Sequence, residues 1–330
     1  MGKTVKIKIG VIGLGPNGME HLINYRNHPD AEVAAVCDVN EGLAKEKAGQ
    51  YNIAQVYTDL SILEQKDIDA VSICVPNPFH GEYAIKALKA GKHVFLEKPM
   101  ALEMESVERI VELWRETGLK VMIGLILRFN PIFQLTRHLI DEGILGEIFY
   151  VESDYIHDLR GYQHPEDPFG SDGIHPLDIL RWYAGDVVEV QAYSNKKIWP
   201  EIEDATTVAI YKFKSGCIGK VTVTWVPIGP RPKAFNTSVY GSKGTVVRDE
   251  ICLAGTKEFS PLPIKKESLE DPFRTGHPYK PEDIHFIDCL VQGKEPLINC
   301  LEGAKSTAAC LVVKDAIRER RPVAIPQFEK

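Results

Sequence analysis

The chain has no cysteine pair at metal-binding or redox spacing. Its seven cysteines, Cys37, Cys74, Cys217, Cys252, Cys289, Cys300 and Cys310, stand singly, and no C-x-x-C occurs. An odd, scattered set excludes a disulfide framework and a structural zinc site, and suits a reducing compartment. Long hydrophobic runs are also missing, and none reaches the ~18 residues that a membrane span needs. The apolar stretch Ile9–Leu14, behind Lys3, Lys6 and Lys8, is six residues long and runs into glycines. A signal peptide would need a longer apolar region and a small-residue cleavage site, so a cytoplasmic protein is expected. A basic excess is absent too: 39 Lys and Arg against 46 Asp and Glu give a net charge of −7. Such a chain is a poor non-specific binder of nucleic acid, which requires basic patches to release counterions. What remains is 330 residues, 44% hydrophobic and 26% charged. That is the mix of a globular protein, long enough for two domains of ~100–200 residues each.

The first 124 residues alternate apolar runs with helical patterns. Val5–Ile12 ends at Gly13, and Met19, Leu22, Ile23 and Arg26 then recur at helical spacing. Val33–Val36, a strand near Val56, Ala70–Val75, Val94–Leu96 and Val121–Ile123 follow. Between them come helical stretches after Asn40, around Leu60–Glu64, over 81–90 and through Val107, Ile110, Val111 and Trp114. Gly91 and Gly118 stand where left-handed helix caps are expected. Six strands separated by helices predict a doubly wound parallel sheet, because parallel neighbours need crossover helices.

Candidate chemistry lies at the strand ends. Gly13-Leu14-Gly15-Pro16-Asn17-Gly18 fits G-x-G-x-x-G between the first strand and first helix. The glycines permit the turn, the approach of a pyrophosphate and close helix–strand packing, and the helix N-terminus attracts the phosphates. Asp38 ends the second strand, 20 residues beyond Gly18. A carboxylate there accepts ribose hydroxyls and repels a 2′-phosphate, which favours NAD over NADP. Pro76, Asn77 and His80 follow the fourth strand, and Glu97-Lys98-Pro99 follows the fifth, where open α/β sheets bind ligands. The other reading of Asn77 and His80 is turn and helix-cap duty, and that of Lys98 a solvated surface lysine.

The glycine loop, Asp38, Pro76-Asn77-x-x-His80 and above all the run Ala90-Gly91-Lys92-His93-Val94-Phe95-Leu96-Glu97-Lys98-Pro99 resemble the Gfo/Idh/MocA oxidoreductases. The resemblance extends over essentially the whole chain and is strongest over residues 7–130 and 171–185. It implies a Rossmann domain, residues 1–124, with Gly13, Gly15, Pro16, Asn17, Gly18, Asp38, Pro76, Asn77, His80, Glu97 and Lys98 at the cofactor. It implies a second domain, residues 125–330, that binds substrate and forms oligomers.

In that second part a helix over 132–142 precedes alternating runs at 147–155, 187–195, 206–213, 217–226, 235–240 and 245–248. These predict a largely antiparallel or mixed sheet with helices on one face, the late ones at about 282–292 and 302–319. The other face, to which apolar Val221, Val223 and Trp225 are assigned, is expected to meet a second subunit in a homodimer or homotetramer. The family motif D-x-G-x-H-x-x-D falls on Ser171-Asp172-Gly173-Ile174-His175-Pro176-Leu177-Asp178. His175 and Asp178 match it. Ser171 stands at the position of the first aspartate, with Asp172 one residue later, which leaves the acid beside His175 open. Asp178 is expected to orient His175 or to cap; His175 alternatively is a buried structural residue. Arg128 matches a family position facing the cleft between the domains, as an anchor for substrate oxygens or as a domain-linking salt bridge. Asp154, Tyr155, His157 and His164 lie where the family draws substrate contacts. The spacings of seven and eleven between His157, His164 and His175 match no zinc-ligand pattern.

The resemblance implies hydride transfer between nicotinamide and a polyhydroxylated substrate, a sugar, sugar acid or inositol. A group must then exchange the hydroxyl proton. A lysine beside a cationic nicotinamide would have its ammonium destabilised, so Lys98 is the expected acid/base, with His175 as relay. A redox-assisted glycosidase and a silent dinucleotide-binding sensor remain open at this point.

Overall fold

The computed structural model describes residues 6–158, 168–197, 205–226, 235–264 and 279–329, with the side chains of residues 157, 158, 226 and 235 left aside. His164 and the charged stretch Lys265–Asp271 lie outside the described residues. The chain forms two compact units, one of Met1–Leu125 with Pro278–Ala304 and one of Ile126–His277 with Lys305–Glu329.

In the first unit, β1 (Ile7–Ile12), β2 (Ala31–Cys37), β3 (Gln55–Tyr57), β4 (Ala70–Ile73), β5 (His93–Leu96) and β6 (Val121–Ile123) form one sheet. All its pairings are parallel, in the order β3-β2-β1-β4-β5-β6. The doubly wound sheet read from the sequence is therefore observed. Its strands are continuous apolar runs because both faces are covered, and all four residues of β4 are buried. The crossovers contain α1 (Pro16–Arg26), α2 (Glu41–Tyr51), α3 (His80–Lys89) and α4 (Met104–Thr117). Asn40 caps α2 by accepting from the Leu43 N–H at 3.1 Å, and Gly118 ends α4 at φ 66°. Leu60–Glu64 is a 3-10 turn rather than an α-helix.

Two late segments complete this unit. The helix α8 (Tyr279–Gln292) lies against α1, and its Phe286 meets Phe95 of β5 at 5.7 Å between ring centroids. The chain then returns to β6, where the Ile123 N–H donates to the Ile298 carbonyl at 3.0 Å. The partition at residue 124/125 assigns all of this to the second domain. The buried face of α8 instead closes the core of the first.

The second unit contains α5 (Pro131–Asp141), the short α6 (Pro168–Ser171) and α7 (Ile174–Ala184). Its strands are β7 (Ile148–Asp158), β8 (Val187–Asn195), β9 (Thr206–Phe213), β10 (Ile218–Val226), β11 (Phe235–Gly241), β12 (Gly244–Val247), β13 (Glu250–Leu253), β14 (Ser260–Pro261) and β15 (Val323–Ala324). They form a nine-stranded sheet in the order β14-β13-β12-β11-β7-β10-β9-β8-β15. Among the described residues of this sheet only β7 and β10 pair in parallel, so the sheet is mixed and largely antiparallel, as expected. The helix α9 (Cys300–Glu319) starts in the first unit and runs into the second.

One assignment of faces is corrected. Val221, Val223 and Trp225 are buried at 0%, 0% and 5% exposure. They share a face with Ala209 and Tyr211, whose hydroxyl reaches the Ala309 carbonyl of α9, so they belong to the helix-covered side. The alternate residues of β10 form the opposite face, which carries the Lys220–Glu152 ion pair at 2.7 Å beside exposed Ile210, Ile218 and Tyr193. Among the described residues no helix is long and apolar enough to cross a membrane, and all seven cysteines are free.

Candidate active site

The glycine loop is shaped by contacts that side chains would destroy. Gly13 has φ +91°, and a Cβ on it would come within 2.5 Å of the Cys74 carbonyl oxygen. A Cβ on Gly18 would stand 1.9 Å from the Gly13 oxygen, so only glycine lets α1 pack against the end of β1. Gly15 differs. It is exposed, a Cβ there would meet nothing within 4 Å among the described residues, and it opens α1 with no side-chain cap. The first N–H groups of α1, at Asn17 and Gly18, have Pro16 before them, which carries none. This bare, uncapped helix end is a cradle for an anion.

Asp38, at the end of β2, is pinned beside the loop. Its Oδ2 accepts from the Leu14 N–H at 2.8 Å and its Oδ1 from the Asn40 N–H at 2.9 Å. Each oxygen keeps a lone pair for a hydroxyl. The residues present therefore fit a dinucleotide whose ribose carries a free 2′-hydroxyl. They disfavour a 2′-phosphate by charge.

The two loops beyond β4 and β5 are stapled together. His80 is 1% exposed, with Nδ1 2.7 Å from the Pro99 carbonyl and Nε2 2.8 Å from that of Val75. Burial holds its pKa below the usual histidine range against the pull of those carbonyls. Both ring nitrogens are engaged by backbone, so His80 ties the two loops together. Glu97, 6% exposed, also faces inward: Oε1 lies 3.1 Å from His21 and Oε2 accepts the Lys98 N–H at 3.0 Å. Pro76 is exposed, while Asn77 and Lys98 are half-buried, at the carboxyl ends of the strands.

In the second unit α7 begins at Ile174 and buries His175 and Asp178. Asp178 does not orient the histidine. Its carboxylate takes both arms of Arg128, Nε to Oδ2 at 2.8 Å and Nη2 to Oδ1 at 2.7 Å, and also the Ser306 hydroxyl at 2.7 Å. Arg128 is 2% exposed, with the Trp182 ring 5.6 Å away. The pair is buried and internal to this unit. Asp172 lies in the turn before α7, where its Oδ2 accepts the Trp225 indole N–H at 2.9 Å. Ser171 and Asp172 are both half-buried, as are Asp154 and Tyr155 on β7. Within each unit the motif residues are thus close together. Missed at the sequence level were His21, Asp283, Trp225 and Ser306, which carry no local motif.

Comparison with known proteins agrees with this geometry. Residues 7–125 match the profile of an oxidoreductase family with an NAD-binding Rossmann fold, and residues 133–247 match the GFO/IDH/MocA C-terminal domain. The myo-inositol 2-dehydrogenase of Thermotoga maritima is 30% identical, with 97% of this chain and 99% of that protein aligned. The scyllo-inositol 2-dehydrogenase (NAD(+)) of Bacillus subtilis is 27% identical over 97% of this chain and 96% of its own. Levoglucosan dehydrogenase, solved in complex with NADH and L-sorbose, has the same fold, with a TM-score of 0.86 at 22% identity over 98% of this chain and all (100%) of its own.

Proposed function

Because the chain belongs to the Gfo/Idh/MocA oxidoreductase family, with NAD as its cofactor, we propose that it oxidises a secondary hydroxyl of a polyhydroxylated small molecule. An inositol-type ring is the leading candidate, with sugars and sugar acids beside it. The observation that carries this reading is the pairing of an uncapped glycine loop with the pinned Asp38 carboxylate in a chain 30% identical to a myo-inositol 2-dehydrogenase.

Bound NAD supplies the hydride acceptor, and the chain does the rest. The first turn of α1 would hold the pyrophosphate, and Asp38 would accept the ribose hydroxyls. An alcohol is too weak an acid to lose its proton unaided, so a base must take it as the C–H bond breaks. We assign that exchange to Lys98, which is half-buried at the end of the fifth strand, with His175 sharing it. Ser171 and Asp172 supply the polar contacts beside His175, Asp172 being oriented by Trp225. The free cysteines support a reducing compartment, the cytoplasm. A homodimer or homotetramer would use the sheet face bearing Tyr193, Ile210 and Ile218, with the Lys220–Glu152 pair inside the interface.

The test is NAD reduction, followed by NADH absorbance, across myo-inositol, scyllo-inositol, hexoses, sugar acids and nucleotide sugars. NADH is expected to accumulate in proportion to a ketone product. Substrate consumption with NAD regenerated every turn would replace this reading with redox-assisted glycoside cleavage. Lys98→Met is expected to depress kcat by about 100-fold or more, as for a lost general base, while NADH affinity holds. Turnover at the wild-type rate would remove Lys98 from the role.

A further inference from the structure

Beneath Lys98 the first unit buries a line of charge that the reaction as described does not use. His21, on α1, is 0% exposed. Its Nδ1 lies 2.7 Å from Asp283 Oδ1, on α8, and its Nε2 lies 3.1 Å from Glu97 Oε1. The second oxygen of Asp283 accepts the Asn24 amide at 2.8 Å, and the second oxygen of Glu97 accepts the Lys98 backbone N–H at 3.0 Å. The line therefore runs Asn24–Asp283–His21–Glu97–Lys98, crossing from α8 through α1 to the end of β5. Each imidazole nitrogen faces a carboxyl oxygen, and the raised pKa of His21 and lowered pKa of Glu97 favour an imidazolium between carboxylates. Phe95 and Tyr279 close over it, with ring centroids 4.7 Å and 4.9 Å away.

A buried cation between two carboxylates is a costly way to hold a fold together, since apolar residues of like volume serve as well or better. Its value lies in direction. Glu97 cannot swing while His21 grips one oxygen, so the N–H of Lys98 is held at a fixed point. From the structure we infer that His21 and Asp283 are positioning residues, which act through Glu97 to hold the Lys98 backbone where its amine serves the reaction. The inference rests on the reading of Lys98 as the proton-exchanging group.

The surroundings set the pH behaviour. Burial alone would strip the proton from His21, but the Asp283 charge, with the hydrogen bonds to Asp283 and Glu97, overcomes it and holds its pKa well above the ordinary range. Burial would push Glu97 up, and the His21 bond and charge, with smaller help from Lys98 and His80, bring it below the usual carboxylate value. Cys74, Tyr25, Tyr279 and Glu282 are the other titratable groups around the ring. Once the Asp283 charge is removed, His21 goes neutral and Glu97 loses its cation, so Glu97 takes up a proton at higher pH than before.

The test uses intact protein carrying Asp283→Asn, His21→Gln or Glu97→Gln, beside Lys98→Met. NADH affinity, read by fluorescence, is expected to stay within about twofold for all four, with kcat lowered by about 10- to 100-fold in the first three, the scale of a displaced catalytic group. In Asp283→Asn the acidic limb of the kcat profile, measured with the polyol oxidised fastest in the screen, should move to higher pH by about one unit or more. Without any substrate, lysines are reductively methylated with a carbon-13 label, and the signal missing from Lys98→Met is followed by NMR. It should be displaced in Asp283→Asn and Glu97→Gln. If Lys98→Met loses turnover while Asp283→Asn and Glu97→Gln keep the wild-type rate, profile and signal position, the inference is wrong and the role of Lys98 stands. Turnover surviving in Lys98→Met overturns both. Should His21→Gln fail to fold, Asp283→Asn, which preserves shape, decides the matter.

Discussion

Single residues here show how burial decides what a charged side chain does. Glu282 is the sharpest case: it is 0% exposed, and among the described residues neither carboxyl oxygen has a hydrogen-bond partner. Burial, reinforced by the Asp283 and Glu97 charges and only partly countered by His21, pushes its pKa well above the usual carboxyl range. The folded protein therefore keeps this proton where the unfolded chain loses it. The stabilisation from that proton is complete below the ordinary glutamate range and is lost as pH rises through the folded-state value. Glu282→Gln, which mimics the protonated acid, is expected to match the wild-type melting temperature near pH 4 and to exceed it increasingly above. The gap should widen by up to about 1.4 kcal/mol per pH unit, the slope for one proton. Melting curves at a series of pH values measure it, and a gap independent of pH would show that Glu282 is ionised in the fold.

At the scale of elements, α7 is held by a fork rather than by apolar packing alone. Arg128, in the turn after β6, grips Asp178 with two arms, Ser306 of α9 adds a third bond, and Arg181 reaches the same hydroxyl at 2.7 Å. Arg181 also bonds Asp186, which in turn takes Lys305, so two turns of α7 are tied to α9. Loss of one partner strands a buried charge, so Asp178→Ala is expected to cost about 3–5 kcal/mol, whereas the double variant Arg128→Met, Asp178→Leu should recover much of that. Urea unfolding of the two variants distinguishes this from a pair that contributes nothing, for which both changes would be small. Elements of this kind were legible from local pattern. The runs at 187–195 and 206–213 match β8 and β9 residue for residue, and the helical stretch expected after Asn40 is α2. Alternation in β10 showed that Val221, Val223 and Trp225 share a face. It did not show which one, because a period of two carries no sign; helices distant in sequence decide which face is covered. The two-residue strand β14 and the four-residue α6 are too short to give any period at all.

For the molecule as a whole, the glycine loop, Asp38 and the Glu97-Lys98-Pro99 run were visible in the sequence because each is a local motif at a strand end. The line through His21 was not, since His21 and Asp283 are 262 positions apart and neither neighbourhood resembles a motif. The same separation bears on how the first unit folds. A Rossmann domain read as residues 1–124 is complete in strands but lacks α8, whose Phe286 covers Phe95 and whose Asp283 neutralises the His21 charge. Without α8 and the segment that follows it, the imidazole would stand uncovered on α1, Phe95 would meet water, and the Ile123 N–H would lose the Ile298 carbonyl. The fragment 1–125 is therefore expected to unfold with low cooperativity in urea and to bind NADH weakly. A synthetic peptide of residues 278–304 added in trans should restore both, since it carries the missing face. A fragment that binds NADH as tightly as the whole chain and gains nothing from the peptide would show that α8 is an addition to the first unit rather than part of its core.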